Sequence, residues 1–134
     1  MKFNEHGNFQ VSCDRDIIYY KVVGMWNKEA SLNCIEQLRK CFKNRADLPV
    51  AMIVDTIEFE GGIQEAFQSW EQEFHFWHEN NLTTFIRIDD QSSIHYRLFL
   101  ANIDERLEKN IHFEVASDFS EAVNIAHKLG FSGF

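Results

Sequence analysis

The feature that most constrains this chain is the run "VAMIV" at 50–54, apolar at every position and closed by Asp55. A half-exposed strand alternates apolar and polar residues. A short run that is apolar throughout belongs to a central strand with both faces covered. On either side of it the pattern switches to helical spacing. Leu32, Ile35, Leu38 and Phe42 recur before it, and Ile63, Ala66, Phe67, Trp70, Phe74 and Trp77 after it. Strand and helix in alternation imply parallel pairing and right-handed crossovers.

The rest of the chain extends this pattern. "FQVSC" places Phe9, Val11 and Cys13 on one face, "DRD" turns the chain and "IIYYKVV" follows, which reads as an antiparallel hairpin whose second strand ends at Gly24. Asn27 is the expected N-cap of a helix reaching about Lys43. "TTFIRID" is a strand, and Ser92 or Ser93 caps a helix carrying Tyr96, Phe99, Leu100, Ile103 and Leu107. "IHFEV" is a last strand. The closing helix has Asp118 and Glu121 as a capping box and Gly130 as its C-terminal glycine. In "IHFEV", Ile111, Phe113 and Val115 share one face while His112 and Glu114 share the other. One side of that strand is wet, so helices are expected mainly on one face of the sheet. The fold class is thus α/β: a single domain over 1–134, with one open, mostly parallel sheet and a leading antiparallel hairpin.

This order resembles the SpoIIAA-like, or STAS, family, and most closely its small stand-alone bacterial members. The resembling motif is D-x-x-x-F-x-G at the end of the central strand, here Asp55, Thr56, Ile57, Glu58, Phe59, Glu60 and Gly61. The resemblance implies a binding or regulatory module. Members that antagonise anti-sigma factors carry a phosphorylatable Ser in a "DSSG"-like turn opening the following helix. The turn here reads "FEGGI", Gly61 and Gly62 have no hydroxyl, and Thr56 lies too near the strand end to match. The phosphoswitch is therefore not carried over. The family's stand-alone members also resemble lipid-transfer domains in outline, which implies a small hydrophobic ligand.

Composition narrows the function further. A net charge of -8 with no basic cluster disfavours nucleic acid and anionic membranes as partners. No apolar run approaches the ~20 residues of a membrane span, and "MKFNEHGNF" has no apolar leader core. Cys13, Cys34 and Cys41 form no CxxC pair. Cys34 and Cys41 lie two helical turns apart, too far for a disulfide, so reduced core thiols and a cytoplasmic location are expected.

No GxSxG elbow, HExxH or phosphate-binding glycine loop appears, and a non-enzymatic module without cofactor or metal is the expected reading. The alternative is a metal-dependent phosphatase or hydrolase using the strand-end carboxylates Asp55, Asp89 and Asp90, though Asp89 and Asp90 also suit turn duty. The glycines of "EGG" could expose backbone N–H groups to an anion, but Glu58, Glu60 and Glu65 crowd them; a turn with positive φ explains them better. His75 and His78, near Glu71 and Glu79, have helical ligand spacing, yet a solvated helix face accounts for them. His6, His95, His112 and His127 are scattered.

Two binding surfaces are expected. A small apolar ligand would meet Met25, Trp26, Ile57 and Phe59 beside Asp55 and Asp89, at the carboxyl ends of the parallel strands. A protein partner, or a second copy in a homodimer, would meet Phe76, which has polar neighbours at turn spacing, together with Phe131 or Phe134.

Overall fold

A computed structural model describes residues 7–43 and 47–134. The leader reading on the first residues, together with His6, falls largely on 1–6, outside the described residues. Strand β1 (Asn8–Asp14) and strand β2 (Ile17–Trp26) form the expected hairpin, turning through Arg15 at φ 53°. Helix α1 (Lys28–Phe42) opens at Asn27, whose Oδ1 accepts the Ala30 N–H at 3.1 Å. Strand β3 (Val50–Asp55), strand β4 (Phe59–Gly62) and helix α2 (Gln64–Glu79) follow. Strand β5 (Leu82–Ile88) leads through a π-helical turn (Tyr96–Leu100) into helix α3 (Ala101–Glu108), and strand β6 (His112–Ala116) into helix α4 (Phe119–Lys128).

The sheet order is β1-β2-β3-β5-β6, with β1 antiparallel and the rest parallel. Because β2, β3, β5 and β6 add successively in one direction, right-handed crossovers carry α1, α2 and α3 to the same face. Only α4, which follows the last strand, is free of that constraint, and it packs on the opposite face.

Two cores result. The first lies under α1, α2 and α3 and holds Ile18, Tyr20, Met52, Val54, Phe85 and the fully buried Trp77. The second lies under α4 and holds Ile17, Ala51, Ile53, Ile86, Ile88, Ala122 and Ala126. All five residues of Val50–Val54 are buried, as a strand facing both cores must be. Burial of large side chains on this scale is the main stabilising term; truncating one such as Trp77 costs about 3–5 kcal/mol.

Helix ends follow the sequence closely. Asp118 Oδ1 accepts the Glu121 N–H at 2.8 Å, while the Glu121 carboxylate turns to the Ser117 backbone and hydroxyl, so only half of the expected capping box forms. Gly130, at φ 101°, ends α4 with Phe131 N–H returning to the Ala126 carbonyl at 3.0 Å.

Several expectations need correction. Gly24 does not end β2. At φ 82° it marks a bulge, and the strand continues two residues to pair with β4. "FEGG" is that fourth strand rather than a bend. On α1 the buried stripe runs through Ser31, Cys34 and Leu38, which turns Leu32 outward. Trp70 Nε1 donates to Ser31 Oγ at 3.1 Å, so a small hydroxyl in that row is what α2 needs to approach. Ile63 caps α2 and is exposed, and Cys13 is exposed rather than a core thiol.

Candidate functional site

At the carboxyl end of the sheet, β3 leaves β2 at the Lys21–Asp55 pair, and β4 takes up β2 beyond it at Gly24. Between them, residues 56–58 fold tightly. Asp55 Oδ1 accepts the Ile57 N–H at 3.1 Å, the Phe59 N–H reaches the Thr56 carbonyl at 3.0 Å, and the Gly24 N–H reaches the Glu58 carbonyl at 2.9 Å. The Glu58 carboxylate pairs with Lys21.

Thr56 is buried and bridges to β5. Its N–H donates to the Ile88 carbonyl at 3.1 Å and its hydroxyl to Asp89 Oδ2 at 2.5 Å. Burial pushes the Asp89 carboxyl above the usual carboxylate range, with the Thr56 hydrogen bond pulling the other way. Asp89 Oδ1 accepts the Asp90 N–H, and Asp90 Oδ1 accepts the Ser92 N–H and hydroxyl. Those hydrogen bonds hold the exposed Asp90 carboxyl below its ordinary value. Asp89 and Asp90 thus do the turn work their position suggests, and Ser93 caps the following helix by accepting the Tyr96 N–H.

The glycines of "EGG" have separate reasons. Gly61 sits at φ 124°, and a Cβ there would stand 2.9 Å from the Phe99 ring. Gly62 has ordinary φ, but its Cβ would stand 3.0 Å from the Trp26 carbonyl. The ring of Phe99 stacks on Phe67 and meets Phe59 edge-on, so "EGG" is a bed for an aromatic cluster.

Of the residues expected to form an apolar rim, the structure divides the set. Met25 and Ile57 are exposed by 52% and 56%. Trp26 and Phe59 are buried and line a partly open pocket of about 50 Å³ between the sheet and α2, with Val54, Thr56, Phe67 and Trp70 beside them. Its floor reaches Arg87, an element that sequence reasoning missed. Arg87 and Asp104 are each 3% exposed and bond through Nη2 to Oδ1 at 2.5 Å, and the Tyr96 hydroxyl donates to Asp104 Oδ2 at 2.6 Å. No local pattern marks a pair 17 residues apart on a strand and a helix; Arg87 as the one charged residue of β5 is the hint.

Around this end the exposed apolar residues are Met25, Ile57, Ile63, Ile94 and Leu98. Their segments are tied together: Met25 pairs with Gly61, Ile63 N–H bonds the Trp26 carbonyl at 3.1 Å, and Phe99, next to Leu98, lies on Gly61.

The other expected surface is not one surface. Phe76 is half-buried, edge-on to Phe42 with the Arg39 guanidinium 4.2 Å above its ring. Glu73, one of the polar residues at turn spacing from it, is buried and holds Arg39. Phe131 packs on the second core, across the sheet from Phe76, and Phe134 is exposed against Phe119. His75 bonds Glu79 and Glu71 bonds Arg106, and among the described residues His75, His78, Glu71 and Glu79 do not converge on one point. Among the described residues no helix is long and apolar enough to cross a membrane.

No family model matches the chain, and no curated protein matches it. Among solved structures it is similar to an uncharacterised protein of the DUF3478 family with a SpoIIAA-like fold from Shewanella loihica PV-4. The two are 13% identical with a TM-score of 0.67, over 93% of this chain and 98% of that one. It is also similar to the anti-sigma factor antagonist SpoIIAA in its unphosphorylated form, at 10% identity and a TM-score of 0.59, over 92% of this chain and 100% of that one. The fold is SpoIIAA-like, as the order of elements implied.

Proposed function

From this fold and this strand-end surface, we propose that the protein is a non-enzymatic binding module, and that a protein partner docks at the carboxyl ends of its parallel strands. One observation carries the reading. The carboxylates there are engaged within the fold: Asp55 by Ile57 N–H, Asp89 by Thr56, Asp90 by Ser92. Met25, Ile57, Ile63, Ile94 and Leu98 meanwhile remain exposed on segments that meet at that end. Apolar side chains left in solvent on a rigid scaffold are what a partner surface offers.

The solved relative named as an anti-sigma factor antagonist supports a regulatory binding role at the level of fold. The hydroxyl that the family resemblance would place at "FEGG" is missing from Gly61 and Gly62, and Thr56 is buried, which supports a binding role without a phosphate at that segment.

A small apolar ligand is a second reading, supported by the aromatic-walled pocket. At about 50 Å³ the pocket suits a small apolar group, with Phe59 and Phe67 among its walls. Self-association through Phe134 is a separate proposal, resting on its exposure beside Phe119.

The test compares wild type with Ile57→Asp and Met25→Glu, using Leu48→Asp as a control that is equally exposed but lies before β3. A partner retained by wild type and the control, and lost by the strand-end variants, supports the reading. Metal-dependent hydrolysis of a phosphate ester that disappears in Asp55→Asn overturns it in favour of an enzyme.

A further inference from the structure

The three cysteines divide into one that is sealed and two that meet. Cys34 is fully buried in α1, and burial drives its thiol far above the ordinary range. Cys13 lies on β1, the outermost strand, on the face that turns Phe9 and Val11 towards the first core. Helix α1 packs on that strand. Cys41, in the last turn of α1, sits three residues after Leu38 in the row facing the same core, and it is half-buried there. Both side chains therefore project into the β1–α1 contact, near the tip of the hairpin and the end of the helix, close enough that Cys13 helps to raise the Cys41 thiol above its ordinary value.

We propose that Cys13 and Cys41 are a reversible disulfide site, oxidised by a low-molecular-weight disulfide and opened again by thiols. Cys13 is exposed and accessible from solution, so it is the attacking thiol. Its sulfur, after losing a proton, displaces one thiolate from the small disulfide and leaves a mixed disulfide on Cys13. Cys41 then loses its proton and attacks the Cys13 sulfur, expelling the second thiolate. Two protein thiols and one small disulfide become one protein disulfide and two small thiols. Burial, with the neighbouring Cys13, pushes the Cys41 thiol up to about 12, which makes it slow to react alone and suits it to the second, intramolecular step. The bond would staple the edge hairpin to α1 and close a loop of ~30 residues.

The test treats the full chain with oxidised glutathione and follows intact mass, peptide mapping and thermal unfolding. The expected product is a monomer about 2 Da lighter, the loss of two hydrogens. Its peptides are linked through Cys13 and Cys41, and one thiol, Cys34, remains titratable after denaturation. Its unfolding midpoint rises by roughly 10 °C and returns on reduction. Cys34→Ser gives the same product, whereas Cys41→Ser stops at glutathione on Cys13. A wild-type protein that also stops at that mixed disulfide, that forms only Cys13-linked dimers, or that keeps all three thiols overturns the proposal.

Discussion

Replacing Asp104 with Ala tests whether the pair beneath the pocket holds α3 to the sheet. The variant removes a carboxylate that accepts from Arg87 Nη2 at 2.5 Å, from Arg87 Nε at 3.3 Å and from the Tyr96 hydroxyl at 2.6 Å. Both Arg87 and Asp104 are 3% exposed, so water does not take the carboxylate's place, and the guanidinium is left over the Phe85 ring 5.0 Å away. Stranding a buried charge in this way costs about 3–5 kcal/mol, a large part of the ~5–15 kcal/mol that a domain possesses. The thermal midpoint should fall by roughly 10–20 °C. Urea unfolding followed by far-ultraviolet circular dichroism gives the midpoint and slope. Glu71→Ala is the control: its pair with Arg106 is exposed, and losing it should cost less than about 1 kcal/mol. Arg87→Met combined with Asp104→Leu should recover much of the loss, because it removes both charges. A loss for Asp104→Ala no larger than for Glu71→Ala, or a double variant less stable than the single one, would refute the reasoning.

Gly61→Ala should destabilise by about 2–3 kcal/mol, since it combines a disfavoured φ with a contact on Phe99; Gly130→Ala, with open space around it, should cost only the backbone term of ~1 kcal/mol. Trp77 Nε1 is a buried donor without a partner among the described residues, so Trp77→Phe should lose less stability than Trp70→Phe, which breaks the bond to Ser31; equal losses in chemical denaturation would count against this. The Asp89 carboxyl titrates above its unfolded value, so the stability it contributes is complete below the ordinary Asp range and is lost as pH rises through its folded pKa. Asp89→Asn should remove that segment of the stability–pH curve, measured as the difference from wild type. Ile57→Asp should leave the unfolding midpoint nearly unchanged, as expected for an exposed position, whatever it does to binding.

Much of this architecture is local chemistry. Asn27, Asp118 and Gly130 act where their caps are legible, and Val50–Val54 is central because nothing in it tolerates water. What could not be read is set by distant partners. "FEGG" has two glycines in four residues and no strand propensity; it is a strand because the overhang of β2 offers it a ladder. Helical spacing admits Leu32 to the buried row, but the Trp70–Ser31 bond decides which row faces α2. Of the rim read at the strand ends, Asp55 ends β3 and Asp89 follows β5, yet Trp26 at the end of β2 and Phe59 at the start of β4 turn inward, Trp26 against Trp70 and Phe59 against Phe67 and Phe99. Phe76 looked solitary only because Arg39, on another helix, is invisible from α2 alone.

The handover along β2 has a consequence for how this surface can vary. Only residues 56–58 separate the strand that leaves β2 from the one that joins it, and they are pinned at Asp55, at Glu58 and at Thr56. Within β4, burial alternates, with Phe59 inward and Glu60 outward. Inserting or deleting one residue in the loop would exchange those two, turning a carboxylate into the aromatic cluster and a ring into water. The face can therefore change its side chains freely at Ile57, but it cannot change its length. Diversity at this end of the molecule is restricted to spelling, with the number of letters held constant.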